Sequence, residues 1–120
     1  MEPWVPKDEI DERVRKLVDA LNRIPHLETF SSCGGHENQT RGQLPAGQFC
    51  VHLKIRRTKD GWNAVEVLAD AMAMDRQRIR LIPTISDGAL FDFELRGQDG
   101  VDPDQLAAEI DAMLAAPGSP

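Results

Sequence analysis

The sequence predicts an α+β domain of order αββαββα on a four-stranded, mainly antiparallel sheet, ferredoxin-like or a circular permutation of it. Three observations predict it. Residues 49–56 and 90–96 alternate apolar and polar side chains, the period of a half-buried strand. Residues 7–24 and 61–75 repeat apolar side chains at helical spacing. The 120 residues, 41% hydrophobic and 28% charged, suffice for one core. One domain is expected over 1–116, with a flexible tail over 117–120.

The first helix, 7–24, places Ile10, Val14, Leu17, Val18, Leu21 and Ile24 on one face. Asp8, Glu9, Asp11 and Glu12 suit the positive end of its dipole, and Pro25 stops it. Residues 26–33 read as a strand broken by Gly34 and Gly35, and 34–48 as a long polar loop. Phe49, Val51, Leu53 and Ile55 mark the second strand. Asp60 is the expected cap of a helix over 61–75, with Trp62, Val65, Leu68, Ala69 and Met72 on its inner face.

Residues 79–85 form the third strand, which Pro83 confines to an edge. Asp87-Gly88 is a hairpin turn into the fourth strand. Asp102-Pro103-Asp104-Gln105 starts a last helix carrying Leu106, Ile110 and Leu114. The first strand can fill the place left open beside the second, giving the order one, two, four, three. In this reading strands two and four are parallel neighbours. The first helix could join the helical layer, cover the other face or build a dimer.

With the apolar rows turned to the helices, Cys50, His52, Lys54, Arg56, Asp92, Glu94 and Arg96 share the opposite face. That face is either a solvated surface of cross-strand ion pairs or a polar binding floor. Ser31-Ser32-Cys33-Gly34-Gly35-His36 is the most unusual stretch. Two glycines let backbone amides converge on an anion, and serine hydroxyls add donors. A nearby imidazole would activate the Cys33 thiol. The ligand-binding set is therefore Ser31, Ser32, Gly34, Gly35, Asp92 and Glu94. Cys33, His36 and His52 are catalytic candidates, with Asp92 or Glu94 orienting a histidine. An inert strand end is the plain alternative. Cys33, His36, Cys50 and His52 also supply a zinc-like donor set, at a spacing that matches no familiar zinc signature. His26 reads as a surface or strand-start residue.

Residues 10–35 resemble the N-terminal part of the wybutosine-synthesis tRNA methyltransferase family. Ser31, Ser32, Cys33 and Gly35 match its Ser-Ser-Cys-Ser-Gly-Arg motif, while Gly34 replaces Ser and His36 replaces Arg. That resemblance implies S-adenosylmethionine as cofactor and a tRNA guanosine derivative as substrate. Ile24, Pro25, Ser32, Cys33, Gly35 and His36 also resemble a pattern in small uncharacterised bacterial and phage proteins, which implies no activity.

The net charge of −6 argues against a general nucleic-acid or anionic-membrane binder. Charge is nevertheless polarised: residues 54–80 hold seven basic and four acidic side chains, and 87–111 hold eight acids and one Arg. No apolar run reaches the roughly 20 residues of a membrane span. The N-terminus lacks the charge and apolar pattern of a secretory signal, so a cytoplasmic protein with reduced thiols is expected. The leading expectation is a domain that binds a small molecule or nucleotide at the Cys33–His36 loop. The rivals are a methyltransferase-like enzyme and a module that homodimerises through its free sheet face.

Overall fold

A computed structural model describes residues 12–33, 47–84 and 90–115. The chain enters through a 3-10 turn, Glu12–Val14, and continues as α1 (Arg15–Arg23). Val14, Leu17, Val18, Leu21 and Ile24 are buried, as their spacing requires. Ile24 turns extended, and its N–H donates to the Leu21 carbonyl at 3.1 Å. Pro25 has no amide hydrogen with which to continue the helix. Residues 7–11 of the expected helix lie outside the described residues.

His26 takes φ 67°, a left-handed conformation in which histidine is less rare than most side chains. It is exposed at the approach to β1 (Leu27–Cys33). The sheet continues with β2 (Phe49–Arg56), β3 (Ile79–Pro83) and β4 (Leu90–Gly97). The helices α2 (Lys59–Met72) and α3 (Pro103–Ala115) follow β2 and β4 respectively. The strand order is β1-β2-β4-β3, and Pro83 lies on an edge strand, both as expected.

One direction differs. β2 and β4 are antiparallel, not parallel, and so is every other neighbouring pair. The α2 crossover brings β3 back in the direction of β2. The short connection after β3 then reverses the chain, and β4 inserts between the two. The Asp87-Gly88 turn itself lies outside the described residues.

Phe49, Val51, Leu53, Ile55 and Leu95 are fully buried on the helical side of the sheet. Removing such a side chain from water contributes about 1.5–3 kcal/mol each. α1 packs on β1 and α3, and α3 also packs on α2, so the first helix belongs to the helical layer. Arg23 clasps Asp111 with a two-bond fork (Nε–Oδ1 3.0 Å, Nη2–Oδ2 2.9 Å), linking α1 to α3. Asn22 holds α1 to the edge strand. Its Oδ1 accepts the Thr29 N–H at 3.0 Å, and its Nδ2 donates to the Thr29 hydroxyl at 3.0 Å.

α2 corrects two expectations. Its cap is Thr58, whose hydroxyl accepts the Gly61 N–H at 3.1 Å, while Asp60 sits in the first turn. Its buried face is Gly61, Ala64, Val67, Leu68 and Ala71. Trp62 is 57% exposed and Ala69 is exposed, while Val65 and Met72 lie at the margin of the core. Glycine decides this rotation: a Cβ at Gly61 would lie 1.8 Å from the Arg56 carbonyl oxygen. Three of the five residues on this face, Gly61, Ala64 and Ala71, are small. In α3, Asp102 Oδ1 accepts the Asp104 N–H at 2.9 Å, the expected cap. Among the described residues no helix is long and apolar enough to cross a membrane.

Candidate functional site

The sheet face away from the helices carries the polar rows. Opposed residues of antiparallel strands share a face, so the registers define what stands beside what. Cys50 stands opposite Arg96, His52 opposite Glu94, and Lys54 opposite Asp92. On the far side of β4, Arg80 stands opposite Arg96 and Ile82 opposite Glu94. On the side of β1, Ser31 stands opposite His52 and Cys33 opposite Cys50.

Glu94 is the centre of this array. The His52 Nε2–H donates to its Oε1 at 3.2 Å. Arg96 Nη2 forms an ion pair with its Oε2, off the direction of a hydrogen bond. The Glu94 side chain is only 14% exposed, so its charge is held by these two partners more than by water. Lys54 Nζ donates to Asp92 Oδ1 at 3.1 Å. Asp92 thus serves a lysine, and Glu94 orients the histidine.

Three polar atoms of the array are buried with no hydrogen-bond partner among the described residues: His52 Nδ1, Glu94 Oε2 and Arg96 Nε. Buried polar groups are nearly always paired, so such a cluster calls for an explanation. Arg80 adds charge beside it. It is exposed, and among the described residues no acid pairs with it. Two guanidinium groups in neighbouring register positions repel each other unless an anion lies between them.

A β-bulge shapes the other side. The β1–β2 register shifts between Thr29 and Ser31, so Phe30 and Ser31 together face His52. The Phe30 ring lies 5.7 Å from the His52 ring, and Lys54 Nζ lies 4.9 Å from the Phe30 centroid. Phe30 was not singled out from the sequence, and Arg80 counted there only as one of the seven basic side chains of residues 54–80, a cluster that leaves a local phosphate contact open. Strand periodicity alone would have put both on the polar face.

Of the sequence-predicted residues, Ser31, His52, Asp92 and Glu94 come together on this face. Ser32 stands opposite Val51, in a row that faces the helices. Gly34, Gly35 and His36 lie outside the described residues. β1 ends at Cys33, at the end of the sheet that carries the Cys50–Arg96–Arg80 row. Of the zinc-like set, Cys50 and His52 share one face of β2. Among the described residues no three His, Cys, Asp or Glu side chains are grouped to hold a metal ion.

A separate cleft of about 210 Å³ opens beside the C-terminal end of α1. Ile24, Pro25, Ala64 and Val67 form its apolar wall, and His26, Asp60 and Asn63 its polar rim. His26 Nε2 is 3.9 Å from Asp60 Oδ2 there. None of these residues belongs to the polar rows.

No protein-family model, curated protein or solved structure matches this chain.

Proposed function

We propose that the protein binds a small anionic molecule, a carboxylate or a phosphate ester such as a nucleotide. The binding site is the end of the open sheet face next to the Cys33–His36 loop. The observation that carries this reading is the Arg96 Nε donor, buried and without a hydrogen-bond partner among the described residues, with Arg80 directly opposite on the neighbouring strand. An anion seated there would accept from Arg96 and screen the two guanidinium groups from each other. His52, oriented by Glu94, presents Nδ1 for a further hydrogen bond or a proton transfer. The Gly34-Gly35 amides are the proposed donors from the loop.

The dimer reading is less well supported. An apolar patch would favour it, and the described residues of this face expose one large apolar side chain, Ile82. The methyltransferase reading rests on the resemblance of residues 10–35, with Ser31, Ser32, Cys33 and Gly35 as its motif matches, and makes S-adenosylmethionine a necessary arm of the test.

The experiment is a thermal-unfolding screen with inorganic phosphate, a nucleoside monophosphate and S-adenosylmethionine. A ligand at a hundred times its Kd stabilises the folded state by about 2.7 kcal/mol, a rise of several degrees in Tm. The rise is expected with a phosphate-bearing ligand and should vanish in Arg80→Ala, an exposed position. A response to S-adenosylmethionine alone would favour the enzyme reading. No response to any of the three, or an equal response in Arg80→Ala, would overturn the proposal.

A further inference from the structure

The chain has two cysteines, and the sheet sets them opposite each other. The bulge at Phe30 is responsible. Before it, the register pairs Leu27 with Ile55 and Thr29 with Leu53. Carried on unchanged, that register would set Cys33 opposite Phe49. The extra residue moves the pairing by one, and Cys33 meets Cys50 instead.

Directly opposed residues of an antiparallel pair have Cα atoms about 4.5 or 5.5 Å apart, depending on the hydrogen-bonding pattern. Both values fall within the roughly 4.4–6.8 Å that a disulfide spans. The Cα spacing of an opposed pair is therefore one that a disulfide can span. From this placement we infer that Cys33 and Cys50 are a redox modification site, forming a reversible cross-strand disulfide. The inference is independent of the anion-binding reading.

The oxidant is a small-molecule disulfide. Because Cys50 is 6% exposed, the proposed order begins with Cys33. Its thiolate attacks one sulfur of the small disulfide, the S–S bond breaks, and one thiol leaves with a proton. The Cys50 thiolate then attacks the Cys33 sulfur of the mixed disulfide, and the second small thiol leaves. Two electrons pass from the protein thiols to the external disulfide, and two small thiols are released. Excess thiol reverses both steps. The bond would tie together the two ends of the segment that holds Gly34, Gly35 and His36. In a reducing compartment such a pair stays as thiols until an oxidant arrives.

The test uses the whole chain, folded and then unfolded in urea, equilibrated in buffers of reduced and oxidised glutathione. Intact mass and tryptic peptides are read after acid quenching. The folded protein should lose the mass of two hydrogens and yield residues 24–41 joined to residues 42–54. Because the fold holds the two residues together, the link should form at a ratio of oxidised to reduced glutathione at least about tenfold lower than in urea. Cys33→Ser should lose the link and take up no second sulfur partner within the chain. Mixed glutathione adducts or interchain dimers in place of the link would overturn the inference. So would a link that forms no more readily in the folded chain than in urea.

Discussion

His52 and Glu94 face each other across β2 and β4, the imidazole Nε2 3.2 Å from the carboxylate Oε1. The same carboxylate also pairs with Arg96. One poorly hydrated anion therefore supports two cationic or polar neighbours. Removing its charge leaves both with less. Glu94→Gln should cost about 1–3 kcal/mol in urea unfolding at neutral pH, the range for stripping a partner from a half-buried polar group. Asp92→Asn should cost less, about 0–1 kcal/mol, because Lys54 can swing its ammonium into water.

Much of the fold was legible in the residues, and the site was legible in part. The strand at 49–56 was readable to its ends, because Phe49, Val51, Leu53 and Ile55 alternate without a fault. Pro83 pointed to an edge strand through its missing donor. The face of α2 was not readable from hydrophobicity. Gly61, Ala64 and Ala71 carry little apolar signal, yet all three are buried, and Gly61 has no room for a side chain beside the Arg56 carbonyl. Trp62 carries the largest signal and points to solvent. The β2–β4 direction follows from the crossover and the reversal after β3, not from either strand's own composition. The polar row was readable from period two, but its pairings depend on register. A bulge at one residue, Phe30, decides which β1 side chains join it, and no local pattern announced it.

Phe49 lies over Gly97 in the first core row. A Cβ on Gly97 would fall 2.1 Å from Phe49 Cε2, so the ring occupies the space a side chain would need. Gly97→Ala should destabilise by about 1–3 kcal/mol through overpacking. Adding Phe49→Leu should recover part of that loss, a coupling that a double-mutant cycle in urea would measure. Additive losses would contradict the contact.

The orientation of α2 can be tested by contrast. Gly61→Ala forces a methyl onto the Arg56 carbonyl and should cost about 2–3 kcal/mol or more. Trp62→Ala removes a far larger side chain from an exposed position and should change stability by no more than about 0.5 kcal/mol. The reverse order would restore the helix face read from hydrophobicity.

Asp75 gives a pH signature. Desolvation alone would raise its pKa, but hydrogen bonds from the Arg78 side chain and backbone, with the guanidinium charge, hold it below the ordinary 3.8. A carboxylate depressed on folding stabilises the native state above its unfolded pKa, and that stabilisation is lost as pH falls through the folded pKa. Asp75→Asn should therefore be less stable than the wild type at neutral pH, and the two should converge in strong acid. Salt should narrow the neutral-pH gap, since the pair is near the surface. A gap that persists unchanged in acid would assign the loss to something other than the carboxylate charge.

In the proposed site, Arg96 Nε is the donor that a bound anion completes. The most direct measurement follows the arginine Nε–Hε resonances by NMR while a nucleoside monophosphate is added. The Arg96 signal, assigned by its loss in Arg96→Lys, should move downfield and exchange more slowly with water as the site fills. An Arg96 Nε–Hε that stays unmoved while other resonances saturate would place the ligand elsewhere and contradict the account.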